Sequence, residues 1–442
     1  MAVRIYLESL GCKLNQAECD TLAHQFSQSG YAVVDRAQDA DVCVFNSCAV
    51  TNAAAGKSRR RVHTLRRLNP ALRFVFTGCY AGIGDGDLDA DLIVPNNSKA
   101  DLLSLLEARL EGWGLPAPAS GEAAGPTAGR PMRTRPLVKI QDGCDNACTY
   151  CIVHVLRGKQ RSRPQGEILA EIAALAGEGY HEVVLTGVHV GSYGRDSGDS
   201  LTELVRAILA QSPAPGRLRL SSIEPWDITA DFFSLWQDPR LCRHLHLPLQ
   251  SGCDATLKRM NRNYTTAQFA DLIARAREAI PGLAVTTDLI AGFPGETEAE
   301  FEESATFVER IEFARAHVFS YSARPGTPAA TMPDQIPPPI RTARAQRLKA
   351  IARQSSVAFR QQFVGQVLSV LWERRRVEER WSGLTDNYIR VRVQSGEDLA
   401  RTCRRARLVG LEEGGMSGEL VPGHPVEEYR AHREGSEEYR EH

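Results

Sequence analysis

The sequence predicts an α/β protein in three parts: a small N-terminal α/β domain, a partial parallel (β/α)6 barrel and a small C-terminal β-barrel. Three observations carry this reading. Apolar strand-like runs alternate with helical patterns before residue 112, and the same rhythm repeats, more regularly, between 137 and 322. The last stretch turns instead to short β-rich runs separated by glycines and charged turns.

In the first part the strand candidates are RIYLESL (4–10), DVCVFNS (41–47), RFVFTG (73–78) and DLIVP (91–95), with helical patterns over 16–29 and 52–68. The run GLPAPASGEAAGPTAGRP (114–131) has little to bury and reads as a linker, set at 113–132 after a domain over 1–112. The barrel domain, 133–362, takes its strands from LVKI (137–140), EVVLTG (182–187), LRLSSI (218–223), HLHLPLQ (244–250), AVTTDLIAGF (284–293) and AHVFSYS (316–322). Amphipathic helices lie between most pairs, as at 166–178 and 297–311. Six such units are too few for a closed eight-fold barrel, so an open one is expected, with chemistry at the carboxyl ends of its strands. PDQIPPPI (333–340) breaks the pattern ahead of a basic helix to about 362, and a β-barrel is expected over 363–428. The tail, 429–442, is highly charged.

The chain has 442 residues, a net charge of −1 and 43% hydrophobic residues. That balance supports real cores and gives no global nucleic-acid signature, so any RNA-binding surface must be local. No run approaches a membrane span and the N-terminus lacks a secretory h-region, which makes a cytosolic protein with no membrane partner the expectation. Eleven cysteines in such a chain point to metal ligation rather than to disulfides.

In DGCDNACTYC, Cys144, Cys148 and Cys151 directly follow the first barrel strand. Three thiolates on one loop can hold three corners of a [4Fe–4S] cube and leave one iron open to a small molecule. From spacing alone a zinc site is the alternative. The loop and its place in a partial barrel resemble the radical S-adenosylmethionine (SAM) superfamily. The resemblance implies that the amino and carboxylate groups of SAM fill the open iron, and that reductive cleavage yields a radical able to abstract hydrogen from an unactivated C–H bond. It also implies SAM contacts from Tyr150, from Gly187 in LTGVHVGSYG, from Ser222 and Glu224 in SSIEP, from Gln250 in HLPLQSG and from Gly292 in DLIAGFPGETE. Each glycine-rich strand end, taken singly, also reads as an ordinary turn.

A second set follows the same logic. Cys12, Cys48 and Cys79 each close an apolar strand run, and in a parallel sheet those ends share one rim. The plain alternative is three buried, inert thiols. Cys19, Cys43, Cys242, Cys253 and Cys403 lack this placement, Cys43 reading as core, and AGKSRRR (55–61) lacks the first glycine of a phosphate loop.

Two three-cysteine sets followed by a small β-barrel resemble the methylthiotransferase family over nearly the whole chain. That resemblance implies a second [4Fe–4S] cluster bearing the sulfur to be inserted and a TRAM-like RNA-binding barrel. It further implies a tRNA substrate, a reducing electron donor and a sulfur donor, the two donors unidentified. The stretches GCKLNQAE, NSCAVTNAAAGKSRR, GVHVGSYG, SSIEPWD and LPLQSGCDATLKRM most resemble the branch that modifies threonylcarbamoyladenosine in tRNA. Branches acting on isopentenyladenosine or on a ribosomal-protein aspartate are the alternatives. Two readings of other classes are a radical SAM enzyme for a peptide or small molecule and a non-catalytic iron–sulfur RNA-binding protein. Local RNA binding has its own signal: Lys57, Arg59, Arg60, Arg61, Arg66, Arg67 and Arg73 occur without an intervening acid. Arg374, Arg375, Arg376, Arg401, Arg404 and Arg405 add charge near the C-terminus, with Trp372, Trp381 and Tyr388 available for stacking or equally for the core of a small barrel.

Overall fold

The computed structural model describes residues 2–83, 89–116, 133–377 and 380–422. Most of the expected linker, all of the charged tail and the side chains of Arg374, Arg375 and Arg376 lie outside the described residues.

Five parallel strands, β1 (Arg4–Ser9), β2 (Ala32–Val34), β3 (Val42–Ser47), β4 (Arg73–Gly78) and β5 (Leu92–Val94), form the N-terminal sheet in the order β2-β1-β3-β4-β5. Helices α1 (Lys13–Gln28) and α3 (Leu102–Leu110) place Leu22, Phe26, Leu102 and Leu106 against Ile5, Val44 and Val75 on one face. On the other face α2 (Asn52–Leu68) sets Val62 and Leu65 against Phe45, Phe74 and Phe76. β2, three residues at one edge of the sheet, is not among the expected strands.

The barrel domain follows as β6 (Leu137–Lys139), β7 (Gln141–Asp142), α4 (Val153–Arg157), β8 (Arg161–Ser162), α5 (Gln165–Gly177), β9 (Glu182–Thr186), α6 (Leu201–Ala210), β10 (Arg217–Leu220) and β11 (His244–His246). It continues through α7 (Asp254–Arg259), α8 (Thr266–Ala279), β12 (Ala284–Ala291), α9 (Glu298–Ile311), β13 (Arg315–Ser320) and α10 (Pro338–Gln361). Two three-stranded parallel sheets, β6-β9-β10 and β11-β12-β13, are joined by single bridges, Leu218 to Leu241 and Ser222 to His246. The result is the expected six-stranded open barrel. Between β10 and β11 the chain makes two 3-10 turns, Pro225–Asp227 and Phe232–Gln237, in place of an α-helix. Helices α8 and α9 begin with capping boxes, Thr265 with Gln268 and Thr297 with Glu300, which fix where each leaves its loop.

Strand alternation divides this barrel sharply. Val183, Leu185, Leu218, Leu220, Leu245, Val285 and Leu289 face the helices and form the core. Their neighbours Glu182, Arg219, His244, His246, Thr286 and Asp288 face inward and bond to one another, so the lumen is polar. A barrel filled by branched apolar side chains has no such space.

The C-terminal strands β14 (Val367–Val377), β15 (Arg380–Thr385), β16 (Arg390–Gln394), β17 (Cys403–Glu412) and β18 (Gly415–Leu420) close into a barrel ordered β14-β15-β16-β18-β17. Trp372 and Trp381 are buried in its centre with Val391, Val393, Leu408 and Met416, the core reading of the two open to them. The turn after β15 enters the base of the larger barrel. Arg243 grips the Asp386 carboxylate at 2.6 and 3.1 Å, Arg219 donates to the Asp386 and Thr385 carbonyls, and Arg217 to those of Leu384 and Ser369. Tyr388 then stacks on His244 with ring centroids 4.6 Å apart. It closes the floor of the lumen.

Candidate active site

The loop after β6 is shaped by one residue that only glycine can supply. Gly143 has φ +71°, and a Cβ there would meet the Lys159 carbonyl oxygen at 1.9 Å. Beyond it the Cys144 amide bonds the Gly158 carbonyl and the Cys151 amide bonds Cys148 O at 3.0 Å, folding the three thiols into one tight turn. Asn146 N donates to Cys144 Sγ at 3.4 Å and Arg262 Nη1 to Cys148 Sγ at 3.6 Å. Arg262 is buried, holds both Glu224 oxygens and lies 4.6 Å from the Trp226 ring. A fixed cation on a buried sulfur favours thiolate, which is the form that binds iron.

His189 approaches Cys144 Sγ at 3.9 Å from the opposite side and bonds Asp227 at 2.5 Å. Burial alone would lower its pKa, yet the bonds to Asp227 and Cys144 raise it to about 9. Without iron, burial pushes the Cys148 thiol up and the Cys151 thiol to about 12. Loading a cluster must therefore release protons.

The second set comes together as the strand ends predict. Cys12 caps α1 beyond β1, Cys48 follows β3 and Cys79 follows β4. A Cβ on Gly11 would lie 3.2 Å from Cys48 Sγ, and Asn96 Nδ2 sits 3.9 Å from Cys79 Sγ. Burial raises the Cys12 thiol, and raises Cys48 to about 11, with the other thiols of the set adding to both. Among the described residues no group of cysteine, histidine or carboxylate side chains converges closely enough to hold a single metal ion. A cubane, with an iron at each liganded corner, asks for a wider set of thiolates, and each loop offers three with amide or cationic donors on the sulfurs. The donor chemistry of both sets, three thiols with polar or cationic neighbours, is of the kind such a cluster takes.

Between the two sets lies a buried ionic knot that joins the N-terminal domain to the barrel. Arg157, on α4 just past Cys151, bonds Glu18 at 2.8 Å, Asp142 at 2.9 Å and Asn15 Oδ1 at 2.8 Å. Lys99 and Lys139 complete the coordination of Glu18 at 2.6 and 3.1 Å. The charge of Arg157 is felt at Cys12, Cys48 and Cys79 alike. Asn15 and Glu18 lie within the quoted stretch after Cys12, as His189 and Asp227 do within theirs, so their polarity beside a cysteine or a glycine strand end was the available signal. Arg157 and Arg262 had none, since their partners are far away in sequence.

The residues expected to meet SAM surround the cysteine loop. Tyr150 packs edge-on to Phe293 at 6.4 Å beside Ile290, an apolar wall suited to an aromatic base. Gly187 ends β9 where a Cβ would press on Gln141 at 3.0 Å, while Gln141 Oε1 accepts from the Val188 and His189 amides. Ser222 bridges to His246, and Gln250, at φ +66°, continues the ladder to β12. Glu224 is occupied by Arg262, and Gly292 leaves room for Arg341 of α10, whose Cγ lies 2.3 Å from where a Cβ would be. Those two have structural duties already.

On α2, which starts just past Cys48, Arg61 pairs with Glu8 and Arg66 with Asp89 and Asp91, and Arg73 at the start of β4 also pairs with Asp91. Arg59 donates to the Tyr80 hydroxyl. Lys57, Arg60 and Arg67 stay exposed at helical spacing, so the basic face is narrower than its sequence.

The chain matches the model of the radical SAM superfamily over residues 138–308 and that of Uncharacterized protein family UPF0004 over residues 4–93. Its fold is similar to that of the radical S-adenosylmethionine methyltransferase TsrM from Kitasatospora setae, solved with tryptophan substrate and a SAM analog, at TM-score 0.54 and 14% identity over 74% of this chain and 75% of that one. It is 36% identical to the "Threonylcarbamoyladenosine tRNA methylthiotransferase MtaB" of Bacillus subtilis, over 89% of this chain and 91% of that protein. It is 35% identical to the protein of the same name in Thermotoga maritima, over 87% and 90%. The "tRNA-2-methylthio-N(6)-dimethylallyladenosine synthase" of Moorella thermoacetica is 34% identical over 93% and 97%. With relatives of this identity along nearly its whole length, the chain belongs to the methylthiotransferase family of radical SAM enzymes.

Proposed function

We propose that the protein methylthiolates N6-threonylcarbamoyladenosine at position 37 of tRNA, exchanging C2–H for C2–S–CH3. The observation that carries this is the pair of three-thiol sets, one on the barrel loop and one on the N-terminal sheet rim, joined through Arg157 beside a polar lumen. An adenine C2–H is neither acidic nor readily displaced, so acid–base chemistry gives sulfur no route to it. When bound, a [4Fe–4S] cluster with SAM would supply a carbon radical strong enough to take that hydrogen, a second, sulfur-bearing cluster would supply the sulfur, and a further SAM would supply the methyl group.

In this reading residues 133–362 carry the radical chemistry, with Cys144, Cys148 and Cys151 as cluster ligands. Tyr150, Gly187, Ser222 and Gln250 line the SAM site, while Glu224 and Gly292 bound it through Arg262 and α10. Residues 1–112 hold the second cluster on Cys12, Cys48 and Cys79, with Arg157 offsetting its thiolate charge. Residues 363–428 support the lumen floor and, with Lys57, Arg60 and Arg67 of α2, meet the tRNA backbone. An external reductant and a sulfur source complete the partners, and the cytoplasm, where tRNA is, is the proposed location. No helix of the described residues is long and apolar enough to cross a membrane.

Relatives named for two different adenosine substrates match at 36% and 34%, which keeps the isopentenyl-type base as the second reading. The test is mass spectrometry of nucleosides from cells lacking the protein. Threonylcarbamoyladenosine without its 2-methylthio group is the expected finding. Loss of the methylthiolated isopentenyl nucleoside instead overturns the substrate while leaving the reaction class.

A further inference from the structure

Among the described residues, the lumen holds a cation with no acid within ion-pair distance. Lys13 is the first residue of α1, next to Cys12, but its ammonium extends away from the thiols into the barrel, 5.8 Å from the Tyr388 ring. Lumen carboxylates are spoken for: Glu182 binds Arg219 at 2.7 Å, and Asp288 faces His246 at 3.3 Å. Among the described residues no acid lies within ion-pair distance of Lys13, while Arg219 and Arg135 are among the charges that reach it. An enclosed ammonium without a counter-ion is costly, and a ligand that brings the missing charge recovers that cost.

We propose that Lys13 binds the carboxylate of the substrate's N6 substituent inside the lumen, making it a specificity-determining residue. This rests on the substrate reading above. The lumen is walled by six strands and floored by Tyr388, so it admits a substituent projecting from a base and excludes the phosphate backbone. Across from Lys13 stands His317, exposed toward the opening, its ring 6.0 Å from that of His246. Burial and the neighbouring Arg315 lower its pKa, so it is a neutral imidazole able to donate to a second oxygen of the same group. An apolar isopentenyl group would leave the Lys13 ammonium without an anionic partner, and a site built on polar contacts rejects such an analogue strongly.

The balance of charge on the cysteine side argues against a competing role for Lys13 as counter-ion to the cluster. Arg157 and Asn15 are the groups that most favour the Cys12 thiolate, ahead of Lys13.

The experiment compares tRNA bearing free threonylcarbamoyladenosine with tRNA in which that carboxylate is a methyl ester, using the reconstituted full-length enzyme and scoring KM for 2-methylthio product. Esterification should raise KM roughly 10- to 100-fold for the native enzyme, the range of a lost charge-assisted hydrogen bond. Lys13→Gln should raise KM for the free acid by a similar factor and shrink the ester penalty to about 2-fold, while Lys13→Arg keeps the penalty. If Lys13→Gln sheds iron, His317→Phe on the facing strand replaces it, with a smaller but same-signed loss. Equal use of acid and ester by the native enzyme overturns the inference alone. So does an undiminished ester penalty in Lys13→Gln. Native enzyme that ignores threonylcarbamoyl tRNA and modifies isopentenyl tRNA overturns the substrate reading as well.

Discussion

The two three-cysteine sets gather three thiols each by opposite routes. Cys144, Cys148 and Cys151 sit in one short loop whose shape is imposed locally, by Gly143 and by amide bonds to Gly158 and within the turn. Cys12, Cys48 and Cys79 have no local relation and meet only because β1, β3 and β4 are parallel neighbours. The first site needs a loop to be right, the second a whole sheet. Damage should therefore separate them.

The largest expected effect is on iron. On the proposed reading, two clusters would give about eight irons per chain. Cys144, Cys148 and Cys151 changed together to Ala should leave about four and abolish SAM cleavage. The same change at Cys12, Cys48 and Cys79 should also leave about four, yet preserve cleavage and stop sulfur insertion. Loss of all iron in both would mean a single shared site.

A backbone change should strike the local site next. Gly143→Ala forces a Cβ against a carbonyl at positive φ, a strain of about 3 kcal/mol or more. SAM cleavage should fall by roughly 100-fold, with the N-terminal iron retained. Retention of both clusters would show that the loop relaxes freely.

Arg157→Met probes the link between them. Removing one member of a buried ionic knot typically destabilises by about 3–5 kcal/mol, read by denaturant unfolding, and the N-terminal iron should be lost first. The pH dependence has a definite sign. Burial opposes the charge on Glu18, but Arg157 and Lys99 hold its pKa well below 4.5. Its stabilisation is thus present above about 4.5 and lost as pH falls toward its folded pKa. Glu18→Gln should flatten the acid limb of the stability curve. An unchanged limb would place the acid sensitivity elsewhere.

The smallest effect belongs to the exposed face of α2. Replacing Lys57, Arg60 and Arg67 by Ala should reduce the slope of log affinity for tRNA against log salt by up to about 0.9 per lost phosphate contact, with iron content unchanged. Equal slopes would remove α2 from the RNA surface.

How far the sequence carried this can be followed residue by residue. Strand ends carrying cysteines were readable because apolar period and ligand type coincide there, and the glycine strand ends for the same reason. Tyr388, Trp372 and Trp381 were ambiguous because an aromatic in a short β-run fits a core or a platform equally well. The structure buries both tryptophans and sends Tyr388 into another domain. The lumen histidines looked like ordinary strand residues, since inward and outward faces cannot be told apart until the barrel curves. Arg157 was invisible for the plainest reason: Glu18, its partner, lies at the far end of a chain segment no local window spans.

The Tyr388 floor has a consequence for modularity. A small β-barrel at the end of a chain invites treatment as a detachable accessory, to be trimmed or exchanged between proteins. Here its Leu384–Tyr388 segment supplies backbone acceptors to Arg217 and Arg219 and a ring to His244. Deleting the barrel would strip two buried guanidinium groups of acceptors and open the catalytic chamber to water from below. A chimera with a foreign barrel would work only if that short turn travelled with the host, which makes the turn, rather than the domain boundary before it, the true seam of the enzyme.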